Sequence, residues 1–248
     1  MFRRLPTLII GIGLAIVAVP SGIVGAVTCS APLPQGNDQV VLDPVDFVER
    51  VDNPYLPMPP GTRWTFRETE PEGTRQRVDV SVTTRTREIL GIAATVVHDK
   101  VTEHGELVEN TFDWYAQDAC GNVWYLGENT KEYEEGVVVS TAGSWEAGVD
   151  GAQAGVVMPA DPQVGLTYRQ EYLAGEAEDA AEILSLDEQA RVPFGHFRDA
   201  VLIKEFTPLH PRVLEYKLYA KGVGMVLAIA VSGGSDREEL VRMVTSPA

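Results

Sequence analysis

Val78-Asp79-Val80-Ser81-Val82-Thr83 alternates apolar and polar side chains, and Val108-Glu109-Asn110-Thr111-Phe112-Asp113-Trp114-Tyr115 keeps the same two-residue period. A period of two places successive side chains on opposite faces of a strand, and the β-branched and aromatic content suits a pleated surface. Val213-Leu214-Glu215-Tyr216-Lys217-Leu218-Tyr219 and Val226-Leu227-Ala228-Ile229 are similar runs bounded by Gly and Pro. Helical periodicity is scarce, with short candidates only at 44–50 and 176–183. The pattern predicts a mainly β, antiparallel protein of about ten strands.

Comparison of the chain with itself extends this reading. Gly61-Thr62-Arg63-Trp64 has a counterpart in Gly165-Leu166-Thr167-Tyr168, and Gly91 in Gly195. Val96-Val97 corresponds to Val201-Leu202, Tyr115-Ala116 to Tyr219-Ala220, and Gly121-Asn122-Val123 to Gly224-Met225-Val226. These landmarks keep their order and almost their spacing, which predicts two internally repeated units at 61–126 and 165–229 around an inserted loop, 127–164. Units of this size bury little surface alone, so the two are expected to join in one sheet that curls into a barrel or half-barrel. The expected organisation is therefore a signal peptide at 1–26, a Pro-rich arm at 27–60 and a single β domain at 61–248.

The signal reading rests on Arg3-Arg4 followed by an uncharged run from Leu5 to Val27, with Val24-Gly25-Ala26 as a small-residue cleavage site. It predicts a secreted, periplasmic or cell-envelope protein, with no membrane association after cleavage. A lipoprotein cut before Cys29, or an uncleaved anchor, ranks below that. Outside the cytosol Cys29 and Cys120 are candidates for one disulfide, although their spacing does not fix the geometry and two unpaired thiols remain the alternative. The arm sequence Asn53-Pro54-Tyr55-Leu56-Pro57-Met58-Pro59-Pro60-Gly61 is held extended by its prolines. It is expected to pack across the barrel with Tyr55 and Leu56 as plugs.

The chain has 248 residues, 20 Lys+Arg and 36 Asp+Glu, and a formal net charge of −16. Loss of 1–26 removes two arginines and no acid, giving 18 − 36 = −18. So acidic a surface repels phosphate, which argues against nucleic-acid partners. With 44% hydrophobic residues the chain can bury a core, so disorder is not expected.

Catalytic and metal motifs are missing from the sequence. There is no Gly-x-Ser-x-Gly elbow, no His-x-His or His-Glu-x-x-His zinc pattern, no phosphate loop and no Asp-x-Asp-x-Asp-Gly calcium loop. Carboxylates do occur in close pairs. Glu146 and Asp150 lie in the Gly/Ala-rich stretch 141–155, and Asp113 and Asp118 flank Trp114-Tyr115. Paired acids suit acid–base catalysis or calcium, but in so acidic a chain a solvated rim explains them most simply. Thr83, Arg85 and Arg87 share one strand face, and Arg169 and Glu171 alternate with Gln170 and Tyr172. A solvated outer face is the simpler reading of both; an inward face would make a polar cavity.

Asp113-Trp114-Tyr115-Ala116-Gln117-Asp118 and Gly121-Asn122-Val123-Trp124-Tyr125-Leu126-Gly127-Glu128 resemble a motif of uncharacterised exported bacterial proteins. The stretches 143–152, 168–172 and Tyr219-Ala220-Lys221-Gly222-Val223-Gly224 belong to the same resemblance, which covers nearly all of the mature chain. It implies an exported β-sheet protein and transfers no activity. Cys120 departs from the family pattern, where a polar turn residue is usual. Lipocalins are similar in architecture alone.

The leading expectation is a non-enzymatic binder of one small amphipathic ligand, without a cofactor, with Trp114, Tyr115, Trp145, Glu146, Asp150 and Tyr168 as candidate ligand-binding residues. The alternatives are an extracellular hydrolase or lyase using Glu146 with Asp150 or Asp113, and a structural cell-envelope module stabilised by calcium.

Overall fold

The computed structural model describes Cys29 and residues 32–70 and 73–245, so the proposed signal peptide lies outside the described residues. One 3-10 turn, Pro44–Asp46, precedes a chain of strands: β1 (Phe47–Val48), β2 (Arg63–Thr69), β3 (Arg75–Ile89), β4 (Ile92–Glu103), β5 (Glu106–Asp118) and β6 (Val123–Glu134). Then follow β7 (Val137–Ser140), β8 (Trp145–Glu146), β9 (Gln153–Met158), β10 (Thr167–Arg169) and β11 (Glu171–Tyr172). The chain ends with β12 (Ala180–Val192), β13 (Gly195–Phe206), β14 (Leu214–Ala220), β15 (Gly224–Ser232) and β16 (Arg237–Val244).

All pair in one 16-stranded sheet, in the order β10-β12-β13-β14-β15-β16-β2-β3-β4-β5-β6-β9-β11, with β1, β7 and β8 attached at its sides. The two ends of that order are neighbours in sequence. Thr167, Tyr168 and Arg169 pair with β12, and two residues later Glu171 and Tyr172 pair with β9. One short segment thus bridges both edges and closes the sheet into a nearly complete antiparallel barrel, as the sequence led us to expect. Closure removes the exposed edges that an open sheet would present. At this seam Gly155 lets two backbones approach, since a Cβ there would lie 2.3 Å from the carbonyl of Gln170.

The alternating strands supply the wall. Trp64 and Phe66 of β2 and Val78 and Val82 of β3 are buried within it. The C-terminal strand β16 returns to β2, where Leu240 pairs with Phe66 and Met243 with Trp64, joining the two halves of the chain. In β3 the register slips between Val82 and Thr86, a bulge that turns the strand. Beyond it Arg85 and Arg87 stand exposed on the outer wall, the solvated face of the two readings. The tight β3–β4 turn places Leu90 and Gly91 at positive φ (52° and 81°), the twist that a two-residue hairpin needs.

Three expectations need correction. The strands outnumber the ten expected, because short pieces such as β8, β10 and β11 are too brief to show a period. No helix forms at 176–183; Ala181 and Ile183 are fully buried at the start of β12, while Glu182 between them reaches Lys204. Alternate burial has overridden the local pattern there. The stretch 127–164 begins with the further hairpin that its first part suggests, β6 with β7, but the remainder is not simply a loop, for it contains the wall strand β9. The repeat landmarks fall at matching turns, β3–β4 with β12–β13 and β5–β6 with β14–β15. The halves are unequal, however, with three residues in β10 against seven in β2.

The arm crosses one end of the barrel. Cys29 is joined to Cys120 in the β5–β6 turn by a disulfide, with Cα atoms 5.3 Å apart. Arg169, only 2% exposed, donates to the carbonyls of Gly36, Asp38 and Ala154, tying the arm to the seam. Further on, the Asn53 amide donates to the carbonyls of Gly121 and Pro159, and the Gly222 N–H to Pro54. Gln117 accepts from the N–H groups of Asp52 and Asn53. Two hairpin turns and the β9–β10 connection are thus stitched together under one strap.

Candidate functional site

Inside the barrel lies a cavity of about 500 Å³, lined from β2, β3, β4, β5, β6, β9, β11, β13, β14, β15 and β16 and from the arm. Its lining is graded along the axis. Leu56 from the arm, Trp64, Tyr219 and Met225 lie next to the covered end, with the Trp64 indole N–H held by the Val223 carbonyl at 2.7 Å. Tyr115 and Tyr125 stack beside them, with centroids 4.8 Å apart. Toward the opposite end the lining turns acidic. Seven carboxyls line the cavity (Asp99, Glu128, Glu171, Asp179, Glu205, Glu215 and Glu238) against one lysine, Lys217. At this end the side chains of Glu215 and Lys217 keep 36% and 26% exposure, so the site is open to solvent there.

Alternation explains how the acids come inside. On β4, Asp99 occupies the face of Val97 and Val101; on β5, Asp113 occupies the face of Tyr115. A carboxyl in an inward position must stay partly wet, gain partners or take up a proton. Burial pushes Asp99 up to about 8, helped by repulsion from Glu238 and Glu109. Burial likewise takes Glu238 to about 8, with Glu68 adding to it, and Glu171 to about 8, with Asp179 adding. Asp113 and Glu128 rise to about 7 by burial, and Tyr125 partly offsets this in both. The Tyr125 hydroxyl lies 2.6 Å from Asp113 and 2.9 Å from Glu128. One hydroxyl carries one proton, so both contacts are hydrogen bonds only when one of the two acids is protonated. Burial pulls the Lys217 ammonium down, but Glu205 at 2.6 Å and Glu215 at 3.2 Å together hold it well above its ordinary value.

The sequence-derived candidates are scattered by the fold. Tyr115 lines the cavity. Tyr168 is fully buried at the seam, and its hydroxyl is acted on by Glu205, Tyr219 and Lys217. Trp145 stands behind the wall; its indole donates to Glu171 at 2.7 Å and meets Tyr125 edge-on at 5.3 Å. The other three are corrected. Trp114 alternates with Tyr115 and therefore faces outward, where the Arg87 guanidinium covers its ring at 4.2 Å. Glu146 is paired with Arg87 on that outer side, and Asp150 is exposed in a turn. Neither reaches Asp113, so the catalytic pairing expected of the loop acids does not form. The residues that sequence reasoning missed are Asp99, Glu128, Glu205, Glu215, Lys217 and Glu238. The available signal was an ionisable residue in an apolar register, as in Val97-x-Asp99-x-Val101. Among the described residues no group of three or more His, Cys, Asp or Glu side chains is arranged to hold a metal ion.

No family model matches the sequence, and no curated protein matches it. Among solved structures, the chain is similar to a Bacteroides fragilis protein described as exported and as having a YmcC-like fold. That match has a TM-score of 0.46 and 15% identity, over 77% of this chain and 99% of the other. A Parabacteroides distasonis protein described as a lipoprotein matches with a TM-score of 0.41 and 12% identity, over 77% of this chain and 98% of the other.

Proposed function

We propose that this is an exported, non-enzymatic protein that holds one small amphipathic molecule inside its barrel. The observation that carries the reading is the graded cavity: aromatic and aliphatic at the strapped end, ionisable at the wet end, and within the size range of small-molecule sites. Arg3-Arg4 with its uncharged run, and the Cys29–Cys120 bridge, support a place outside the cytosol. Native mass spectrometry of the protein purified from its own host, followed by solvent extraction, tests this. A single bound species of small mass is expected. Ligand-free protein together with a barrel packed solid by side chains in a crystal structure would overturn the reading.

A second reading, an extracellular hydrolase or lyase, keeps Asp113 but exchanges the loop acids for Glu128. Asp113 and Glu128, bridged by Tyr125 and both near 7, are poised to exchange a proton at neutral pH. If it holds, Asp113→Asn abolishes turnover of the extracted molecule while leaving its retention intact.

A further inference from the structure

If the barrel holds a small amphipathic molecule, its lining also constrains the charge of that molecule. Resting on that small-ligand reading, we propose that the polar end of the ligand is a cation, an ammonium or amidinium group on a short apolar body. Its charge is seated toward Glu238 and Asp99 and its body toward Leu56 and Trp64.

The first support is charge. Lys217 is the one basic side chain in the lining, and it is already committed to Glu205 and Glu215. It leaves the remaining acids without a counter-charge, so ionising them in the interior is costly and they hold their protons up to about pH 7 to 8 instead. An anionic head would add to that cost and a neutral head would not relieve it.

The second support is a polar atom without a partner. Asp99, in the lining, has a buried carboxyl oxygen that makes no hydrogen bond. Buried polar atoms are nearly always satisfied, and a carboxyl oxygen accepts from N–H. A ligand bearing N–H donors answers it.

The third support is the aromatic lining. The rings of Trp64, Tyr115 and Tyr219 offer apolar contact to the body of a ligand and an attractive face to a cation. The outer wall shows this chemistry within the molecule itself, in Arg87 over Trp114.

Octylamine, 1-octanol and octanoate differ only in head group, and their binding to the mature protein by calorimetry near neutral pH tests the proposal. Octylammonium is expected to bind about tenfold or more tightly than octanol, the scale of one charge-assisted hydrogen bond, and octanoate more weakly still. Asp99→Asn and Glu238→Gln should each weaken octylammonium by about tenfold and leave octanol unchanged. Both are near-isosteric and remove buried like charge, so folding is retained, which circular dichroism verifies. Octanol or octanoate binding as tightly as the amine would overturn the cationic head while sparing the small-ligand barrel. Amine binding that neither variant alters would place it on the acidic exterior and overturn the proposal too. If no probe binds and the native protein also carries no small molecule, the barrel-carrier reading itself falls.

Discussion

The two ends of this barrel are built from the same alternating strands and do opposite things. At the strapped end polar side chains are tied to specific partners: Asn53 serves two carbonyls, and Gln117 takes two backbone N–H groups and donates to Asp52. Asp118 binds the N–H groups of Cys120 and Asn122 and the indole of Trp124. At the open end carboxyls face one another, with one lysine among them, and several titrate near neutrality. The strapped end is a lock that holds the strands together. The open end retains unrelieved repulsion, a feature expected where binding rather than stability has set the residues.

The sharpest way to break this contrast is to cut the lock. Cys120→Ser releases a loop whose ends are 91 residues apart and should lower unfolding free energy by about 2–4 kcal/mol, read from urea midpoints. Loss of the same size from a substitution at the open end would erase the distinction between the ends.

A smaller effect of opposite sign is expected at the open end. Asp99, Glu171 and Glu238 titrate near 8 and Asp113 and Glu128 near 7 in the folded protein, against about 4 in an unfolded chain. Between those values the folded state holds more protons, so the stability these groups confer is complete below about pH 4 and is lost as pH rises through 7 to 8. Asp79 and Glu239 act the other way: burial raises them, but Arg77 with Thr65, and Arg67 with Arg237, lower them further. Their contribution is lost only in acid. The ligand-free protein should therefore melt at a higher temperature near pH 5 than near pH 8. Glu238→Gln should raise Tm at about pH 8 by ~2–4 °C and leave it nearly unchanged at about pH 5. A Tm that climbs steadily with pH would show that the interior acids are not buried as described.

The smallest effect belongs to the outer wall. Glu146→Gln cuts the pair with Arg87, whose side chain is 46% exposed, and should cost no more than about 0.5 kcal/mol. Ligand retention should not change. If it does, the outer loop belongs to the site and the inner and outer walls do not act separately.

The site was less legible than the fold for a reason visible in single residues. Alternation at Val78–Thr83 and 108–115 reveals a strand but not which face turns inward. Trp114 and Tyr115 are adjacent aromatics with equal claims on the cavity, and only the pairing of β5 with β4 and β6 sends one in and the other out. The loop acids Glu146 and Asp150 drew attention because they are close in sequence. The acids that do meet, Glu205, Glu215 and Glu238, lie on different strands and share no local pattern.

The sequence by itself determined the β class, the curling of one sheet and the extended Pro-rich strap, because these follow from periods and backbone restrictions that act over a few residues. Of the two expected plugs, Leu56 lines the cavity, whereas Tyr55 lies beside Lys221 and does not. Tertiary structure alone decided the seam at 167–172, the bond between Cys29 and Cys120 and the acidic interior. Each depends on closure, which brings together groups as far apart as Glu68 and Glu238, and no local rule encodes the charge or dielectric of a space that exists only once the barrel has closed.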